Sequence, residues 1–270
     1  MQASLTHAGR TYAFDPTRPL DISLPLAAGL KGQPNCFWAE PVEVETIRVG
    51  DFVGSVALGG STNYQRVHLT PHGNGTHTEC YGHLSPDPAA TLDKCLTQFL
   101  FVAQLLSVAP RAQENGDLVV LLADVQAALA STAAFPTPPS SAEGGRESLL
   151  PPALILRTLP NDEAKRARHY SGTNPPYLEP ALAEFLVESH VQHLLLDLPS
   201  VDREQDGGQL LAHHAFWRYP AAPRRGATIT ELIFVPDAIP DGLYLLNLQV
   251  TSLVLDASPS KPVLYALREA

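Results

Sequence analysis

Histidine is concentrated in one short stretch of the chain, between His68 and His83. Four of the ten histidines and one carboxylate, that of Glu79, fall within these 16 residues. One proline and three glycines in the same stretch rule out a regular helix through most of it, so we predict a loop or an irregular turn in which separated imidazoles converge. Imidazole together with carboxylate suits divalent ions such as zinc or manganese. The part from His72 to His83 therefore predicts a metal or catalytic site.

The spacing inside this stretch indicates which side chains can meet. His77 and Glu79 are two residues apart, so they share one face if the backbone is extended. A bend at Gly82 would then turn His83 towards that face. The alternative is a set of solvated loop histidines beside an exposed Glu79. Cys80 is a further candidate for a thiolate ligand or nucleophile, although a buried, inert cysteine is the commoner case.

Short apolar segments on both sides of the histidines must position them. Residues 89–108 and 179–190 are predicted as helices, and the succession of helix, short turn and buried strand from residue 179 to 198 indicates an α/β protein. The Pro/Ser/Gly-rich residues 135–152 are predicted to be a loop within a single domain spanning residues 1–270. Seven segments have the length and composition of strands: residues 42–49, 52–58, 118–122, 153–157, 193–198, 228–235 and 242–250.

The composition argues against several classes of partner. With 18 basic and 28 acidic residues the net charge is −10, which disfavours binding to the phosphates of nucleic acid or anionic lipid. No apolar run approaches the roughly 18–20 residues that a membrane span needs. The odd number of cysteines, 3, favours a reducing compartment over a disulfide framework. We therefore expect a soluble, cytoplasmic protein that acts on a small molecule.

Several segments resemble one known family. GTHTECYGH at residues 75–83 is similar to the signature His-x-Gly-Thr-His-x-Asp-x-x-x-His of the putative cyclase family, which includes bacterial kynurenine formamidase and isatin hydrolase. The resemblance spans roughly residues 20–235 and implies a swivelling β/β/α fold, with a mixed β-sheet and flanking helices. Five further segments follow in the family's order: LDISLPL at 20–26, ALILRT at 153–158, LLDLPSVD at 195–202, AHHAFW at 212–217 and TEL at 230–232.

The resemblance also implies roles for individual residues. Glu79 stands where the family has aspartate, and His72 lies five rather than four residues before the next histidine of the signature. Matching Phe216 and Trp217 to two leucines of the family selects His213 over His214. His83 would be the catalytic histidine beside the metal. The implied metal ligands are His72, His77, Glu79, His213 and Glu231.

Four other residues have candidate supporting roles. Phe37 and Trp38 would line an aromatic substrate pocket, or else pack in the core. Asp197 and Asp202 would orient metal ligands, or else satisfy a turn and a helix cap.

The function implied by the resemblance is hydrolysis of a C–N amide bond in a small N-formyl aryl amide or a cyclic amide. One or two divalent ions, zinc or manganese, would generate hydroxide from bound water, and His83 would carry the proton to the departing nitrogen. The family also implies a homo-oligomer. Two alternatives remain open: a lyase or dehydratase on the same metal site, and a non-catalytic metal-binding or ligand-binding protein.

Overall fold

The computed structural model describes residues 2–132 and 150–270. Its strands are β1 (Ala3–His7), β2 (Arg10–Phe14), β3 (Leu20–Asp21), β4 (Glu43–Thr46), β5 (Arg48–Val49), β6 (Phe52–Val53), β7 (Gln65–His68), β8 (His77–Cys80), β9 (Leu100–Val108), β10 (Arg111–Ala112), β11 (Leu118–Val120), β12 (Ala153–Thr158), β13 (Tyr177–Leu178), β14 (His193–Leu196), β15 (Thr228–Glu231), β16 (Gly242–Val250), β17 (Ala257–Ala266) and β18 (Arg268–Glu269). Its helices are α1 (Pro71–Asn74), α2 (Leu92–Cys95), α3 (Leu122–Ser131), α4 (Pro180–Glu188) and α5 (Leu211–Trp217). Turns of 3-10 helix cover Val56–Leu58, Tyr81–His83 and Glu163–Ala167.

A closed sheet forms the centre of the fold. Its strands follow the order β16-β9-β12-β14-β15-β8-β17, and β17 pairs back onto β16, so the seven strands make a barrel. Strands β9, β12, β14 and β15 run parallel, whereas β8, β16 and β17 pair antiparallel with their neighbours. The predicted α/β class, with a mixed sheet and flanking helices, is confirmed. The closure of the sheet was not part of the prediction.

Parallel strand β12 is apolar from Ala153 to Leu156 because both of its faces are covered. Along β12, Leu154 and Leu156 pack with the helices α3, α4 and α5, whereas Ile155 points the other way and packs with side chains of the other strands inside the barrel. Each such side chain contributes roughly 1.5–3 kcal/mol when it is fully buried. A strand that is covered on both sides has no need of polar residues in alternate positions.

The prediction of a helix at residues 89–108 was wrong. Only α2 is helical there, and Leu100–Val108 forms β9, which lies between β16 and β12. A continuous apolar run has no period that separates a buried helix from a strand covered on both faces. Which neighbours the run meets in the folded chain therefore decides its structure.

Other predicted elements agree with the structure to different degrees. The segments predicted at residues 118–122, 193–198, 228–235 and 242–250 contain β11, β14, β15 and β16, the segment at 153–157 lies within β12, and the helix predicted at 179–190 contains α4. Residues 42–49 form β4 and β5. Within 52–58 only Phe52–Val53 is a strand, and Val56–Leu58 is a 3-10 turn instead.

Two further observations concern the chain as a whole. The loop predicted at residues 135–152 lies almost entirely outside the described residues, and the single domain of residues 1–270 remains a prediction. None of the helices in residues 2–132 and 150–270 has the length and apolar character needed to span a bilayer.

Candidate metal centre

Strand β8 carries two of the candidate ligands on one face. The stretch predicted as a loop is extended here, so His77 and Glu79 share a side as their spacing requires. Strand β15 runs antiparallel beside it and places Glu231 opposite His77. All three side chains are buried, and His77 Nε2 lies 3.3 Å from Glu231 Oε2. Two neighbouring strands thus supply one imidazole and two carboxylates.

Helix α5 brings His213 to the same place from the second half of the chain. Its Nε2 lies 3.1 Å from Glu79 Oε1 and 4.0 Å from Glu231 Oε1. His214, the next residue, turns away and bonds through Nδ1 to the carbonyl oxygen of Tyr219 at 2.9 Å. The structure therefore places His213, and not His214, among the candidate ligands.

The two aspartates with candidate supporting roles differ in what they touch. Asp202 lies 2.6 Å from His213 Nδ1 and also accepts the backbone N–H groups of Ala212 and His213. It therefore orients the imidazole and caps α5 at the same time. Asp197 contacts no imidazole in the described residues; it accepts hydrogen bonds from Thr158 and, at 2.9 Å, from Lys165 Nζ.

His72 and His83 approach the centre from its more open side. His72 Nδ1 lies 3.1 Å from Glu79 Oε2, and His83 Nδ1 lies 3.7 Å from the same oxygen. Both side chains are partly exposed, at 26% and 29%. The short helix α1 takes up the additional residue between the first two histidines of the signature. All six residues predicted as ligands or as the catalytic histidine are thereby brought together.

Close contacts with other segments explain why glycine stands beside these histidines. A Cβ on Gly82 would lie 1.9 Å from the carbonyl oxygen of Ala90, and one on Gly73 would lie 2.2 Å from Ala39 Cβ. Any larger residue would push the chain away from its neighbour and move the adjoining imidazole out of the centre.

Sequence reasoning missed Asp256. It ends the segment before β17, and its Oδ2 lies 3.0 Å from His72 Nε2 and 3.4 Å from His83 Nδ1. A single aspartate far along the chain from any histidine carries no signal in the sequence. Only the pairing of β17 with β8 brings it beside the histidines.

The surroundings of His77 favour a cation at this place. Its Nδ1 donates to the carbonyl oxygen of Gly75 at 2.9 Å, so Nε2 is the ring nitrogen that faces the centre. That buried Nε2 has no hydrogen-bond partner in the described residues, although it faces a carboxylate oxygen of Glu231. A buried ring nitrogen without a hydrogen bond is costly, and a cation held between it and the carboxylate would remove that cost.

The other donor atoms of the centre also favour a cation. Imidazole nitrogens and carboxylate oxygens together suit a divalent metal ion. In each of three overlapping groups, all ligand atoms lie within 4.8 Å of one another: His72 with His77 and Glu79, Glu79 with His83 and His213, and His72 with His83 and Asp256.

The charged groups of the centre stabilise each other's ionised forms. Burial alone would raise the pKa of Glu79, but the imidazoles of His83, His213 and His72 hold it well below its usual value. Burial would likewise lower the pKa of His72 and of His213, yet their carboxylate partners raise both to about 10. Hydrogen bonds from His72 and His83 lower the pKa of Asp256. In the absence of another cation, protons on the imidazoles balance the carboxylates.

A cavity of about 440 Å³ opens directly onto these groups. Phe37 lines it, as predicted for a substrate pocket, whereas Trp38 lies outside the lining and is 66% exposed. The substrate-binding role of both residues remains a prediction. The rest of the lining comprises His72, Glu79, His83, His213 and Glu231 of the centre, together with Ser200, residues 203–208 and Leu210.

Cys80 takes no part in the centre. It alternates with Glu79 along β8 and therefore points to the other face, where it is buried. Its contact with Cys95 and its burial raise the pKa of the thiol. A protonated, buried thiol is neither a metal ligand nor a nucleophile.

Comparison with known proteins identifies the family. The model of the putative cyclase family matches residues 17–203. The chain belongs to this family. Its fold is shared by a solved structure described as a predicted metal-dependent hydrolase from Bacillus stearothermophilus, with 17% identity, a TM-score of 0.55, and coverage of 92% of this chain and 98% of that chain.

Two isatin hydrolases share the cyclase-family fold as well. Isatin hydrolase A from Labrenzia aggregata, bound to benzyl benzoate, has 13% identity and a TM-score of 0.62, with coverage of 92% of this chain and 93% of that chain. An isatin hydrolase bound to the product analogue thioisatinate has 14% identity and a TM-score of 0.59, with coverage of 93% and 94%. At these identities the likeness shows the fold.

Proposed function

We propose that this cyclase-family protein is a metal-dependent hydrolase that cleaves the C–N bond of a small N-formyl aryl amide or a cyclic amide. The observation that carries the proposal is the buried pair of His77 Nε2 and Glu231 Oε2, 3.3 Å apart without a hydrogen bond. It stands beside Glu79 and His213, at the end of a cavity. A buried nitrogen without a hydrogen bond, surrounded by carboxylates and a further imidazole, favours an ion at the centre of a reaction site.

The ligands of that ion would be His72, His77, Glu79, His213 and Glu231. Glu79 contacts imidazoles through both oxygens, so it would bridge two ions if two are bound. Zinc or manganese is the ion that this donor set favours. When bound, a divalent ion lowers the pKa of a coordinated water and polarises a carbonyl group.

His83 would move the proton during hydrolysis. Its Nδ1 faces Asp256 at 3.4 Å and Glu79 at 3.7 Å, so its Nε2 is left to the cavity. In the proposed reaction this nitrogen accepts a proton from the attacking water and delivers it to the amide nitrogen as the C–N bond breaks. Its partial exposure suits a group that must exchange protons.

The lining of the cavity supports the substrate class. A volume of about 440 Å³ suits a small molecule rather than a polymer. Phe37 offers an apolar wall for an aryl ring, and Trp38 would contact the substrate from outside the lining. The isatin hydrolases that share the fold favour a cyclic amide among the possible substrates.

Metal analysis together with an activity screen tests this proposal. We expect protein purified without added ions to contain zinc or manganese, and to release formate from N-formyl anilines or to open lactams. Chelation should abolish turnover, and the same ion should restore it. Metal-free protein of full activity would overturn the proposal. A dehydrated product would indicate a lyase, and a bound ion without turnover of any of these substrates would indicate a binding protein.

A further inference from the structure

Asp256 contacts two histidines of the centre through a single oxygen. Its Oδ2 lies 3.0 Å from His72 Nε2 and 3.4 Å from His83 Nδ1. Asp256 is not one of the five proposed ligands, and it lies outside residues 17–203, which carry the family match. Its side chain is 34% exposed, so it stands at the edge of the centre rather than within it.

The backbone holds Asp256 in this place. Its carbonyl oxygen accepts the N–H of Cys80 at 3.0 Å, and the preceding carbonyl, of Leu255, accepts the N–H of Leu92 at 2.7 Å. A Cβ on Gly82 would lie 3.0 Å from Asp256 Cβ, so the glycine lets the two segments approach. The carboxylate is therefore fixed relative to β8 and its ligands.

The two buried imidazoles of the centre show the effect of an oxygen that contacts one ring nitrogen. His213 donates Nδ1–H to Asp202, and His77 donates Nδ1–H to the carbonyl oxygen of Gly75, so both present Nε2 to the centre. An acceptor on one ring nitrogen fixes the tautomer and directs the other nitrogen to the metal. His72 has the same arrangement in reverse, because its Nε2 faces Asp256 and its Nδ1 faces Glu79.

We propose that Asp256 is a positioning residue that fixes the nitrogen through which His72 and His83 act. It accepts Nε2–H of His72, which directs Nδ1 of that ring to the ion. It also accepts Nδ1–H of His83, which leaves Nε2 free for the proton of the reaction. One carboxylate thereby fixes the tautomers of a metal ligand and of the proton carrier. The inference rests on the proposed metal centre.

The tautomer of each ring can be observed without any substrate. In protein labelled with ¹⁵N in its histidine rings and loaded with zinc, long-range ¹H–¹⁵N correlations show which nitrogen binds the ion. We expect Nδ1 bound and Nε2 protonated in His72, and the opposite pattern in His77 and His213. A wild-type protein that binds neither zinc nor manganese would end the proposed function, whereas zinc bound through His72 Nε2 would end only this inference.

Variants of Asp256 extend the test to affinity and turnover. In Asp256→Asn and Asp256→Ala we expect the fixed pattern of His72 to be lost, that of His77 and His213 to remain, and zinc to bind roughly 10–100-fold more weakly. With zinc saturating, kcat should fall while KM stays unchanged, and Asp256→Glu should recover part of both losses. Asp93→Asn is the matched control, since it removes an exposed carboxylate beside Leu92 and should change none of these measurements.

Two outcomes would overturn the positioning role. If the zinc-loaded variants keep the wild-type pattern of His72 together with wild-type kcat, Asp256 positions nothing. If they lose a whole equivalent of zinc while His72 keeps its pattern, Asp256 is itself a ligand. Circular dichroism of Asp256→Asn, which preserves the shape of the side chain, excludes misfolding as the cause of either result.

Discussion

His77 Nε2 is a buried nitrogen without a hydrogen-bond partner in the described residues, although it faces Glu231 in the neighbouring strand. A buried polar group that lacks a partner costs about 1–3 kcal/mol, and a cation between the nitrogen and the carboxylate would remove that cost. A fold keeps such a pair only if something else stabilises it. At the scale of single residues, the metal centre is therefore recognisable by a buried nitrogen that no other residue in the described part of the chain satisfies.

Replacing Glu231 by glutamine should exchange the ion for a hydrogen bond. The amide of Glu231→Gln can donate to His77 Nε2, while its oxygen still accepts the N–H of Val201. Chelated variant protein should therefore unfold with a free energy about 1 kcal/mol higher than chelated wild type. Its metal affinity should fall by more than the roughly 10–100-fold typical of residues that only orient a ligand. Thermal melts with and without chelator measure both effects, and unchanged metal affinity would remove Glu231 from the centre.

His83→Ala should separate proton transfer from metal binding. Because the buried ligands remain, the variant should retain its ion by elemental analysis, yet lose roughly 10²–10⁴ in turnover, as expected for general acid–base catalysis. His68→Ala is the matched control. Its imidazole is 53% exposed and lies near Glu45, so both measurements should match wild type. Loss of the ion in His83→Ala would show that His83 is a ligand.

At the scale of elements, strand register and helix phase assemble the centre. The antiparallel pairing of β8 with β15 sets Glu231 opposite His77, and α5 brings His213 Nε2 within 3.1 Å of Glu79 Oε1. Successive residues on a helix point in different directions, so only one of His213 and His214 can reach Glu79. Asp202 fixes that phase because it caps α5 and bonds the imidazole at once.

The phase of α5 predicts different results for its two histidines. His213→Ala should lower the metal stoichiometry, because it removes an imidazole 3.1 Å from Glu79. His214→Ala should leave the stoichiometry unchanged, because its ring bonds the carbonyl of Tyr219 instead. Elemental analysis of the two purified variants decides the matter. The reverse result would show that His214, and not His213, faces the metal centre.

The buried histidine of strand β14 predicts a pH dependence of stability that does not involve the metal. His193 is buried, pairs with Thr228 Oγ1 at 2.8 Å and packs on Phe101. Burial, with a smaller contribution from Arg224, lowers its pKa from 6.5 to about 4. Between these values the unfolded chain binds the proton more readily, so the contribution of neutral His193 to stability is complete above pH 6.5 and is lost as the pH falls towards 4.

The variant His193→Asn should remove this dependence. Asparagine can keep the bond to Thr228 but does not titrate. In wild type the contribution of His193 to the free energy of unfolding falls by roughly 3 kcal/mol at full extent. Urea unfolding of metal-free protein between pH 4 and 8 should therefore show a smaller loss of this free energy at low pH in the variant than in wild type. If the free energy of unfolding depends on pH in the same way in both proteins, His193 is not the source of the dependence.

At the scale of the whole molecule, one region is unusually apolar on its surface. Residues 43–68, which we call the arm, form two separate two-stranded sheets, β4 with β7 and β5 with β6. Val49, Tyr64 and Val67 of the arm are 70%, 61% and 54% exposed. Isolated two-stranded sheets are marginally stable, and exposed apolar groups of this kind mark interaction surfaces. The family resemblance implies a homo-oligomer, and we propose that the arm packs against the second copy of the chain.

Charged substitutions in the arm should weaken this association. Val49→Lys combined with Val67→Lys places two like charges on the proposed interface, so sedimentation velocity should show a shift from oligomer to monomer. Val254→Lys is the control, since that side chain is 68% exposed but lies outside the arm. A monomeric wild type, or an oligomer unaffected by the double substitution, would exclude the arm as the interface.

Local chemistry made the kind of site predictable from the sequence. The density of imidazoles between His72 and His83, the two-residue spacing of His77 and Glu79, and the glycines beside them depend only on neighbours in the chain. The family resemblance added His213 and Glu231, and strands such as β12 and β16 followed from their composition. These features are written in short segments, so they can be recognised without knowing how distant segments meet.

Tertiary structure decided everything that depends on which segments become neighbours. Leu100–Val108 is a strand because it lies between β16 and β12, and the barrel closes because β17 pairs with β16 as well as with β8. That same pairing carries Asp256 to His72 and His83, a contact across 184 residues of chain in the first case. Periodicity and spacing report on a segment's own backbone, whereas the partner of a buried group is set by the packing of the whole chain.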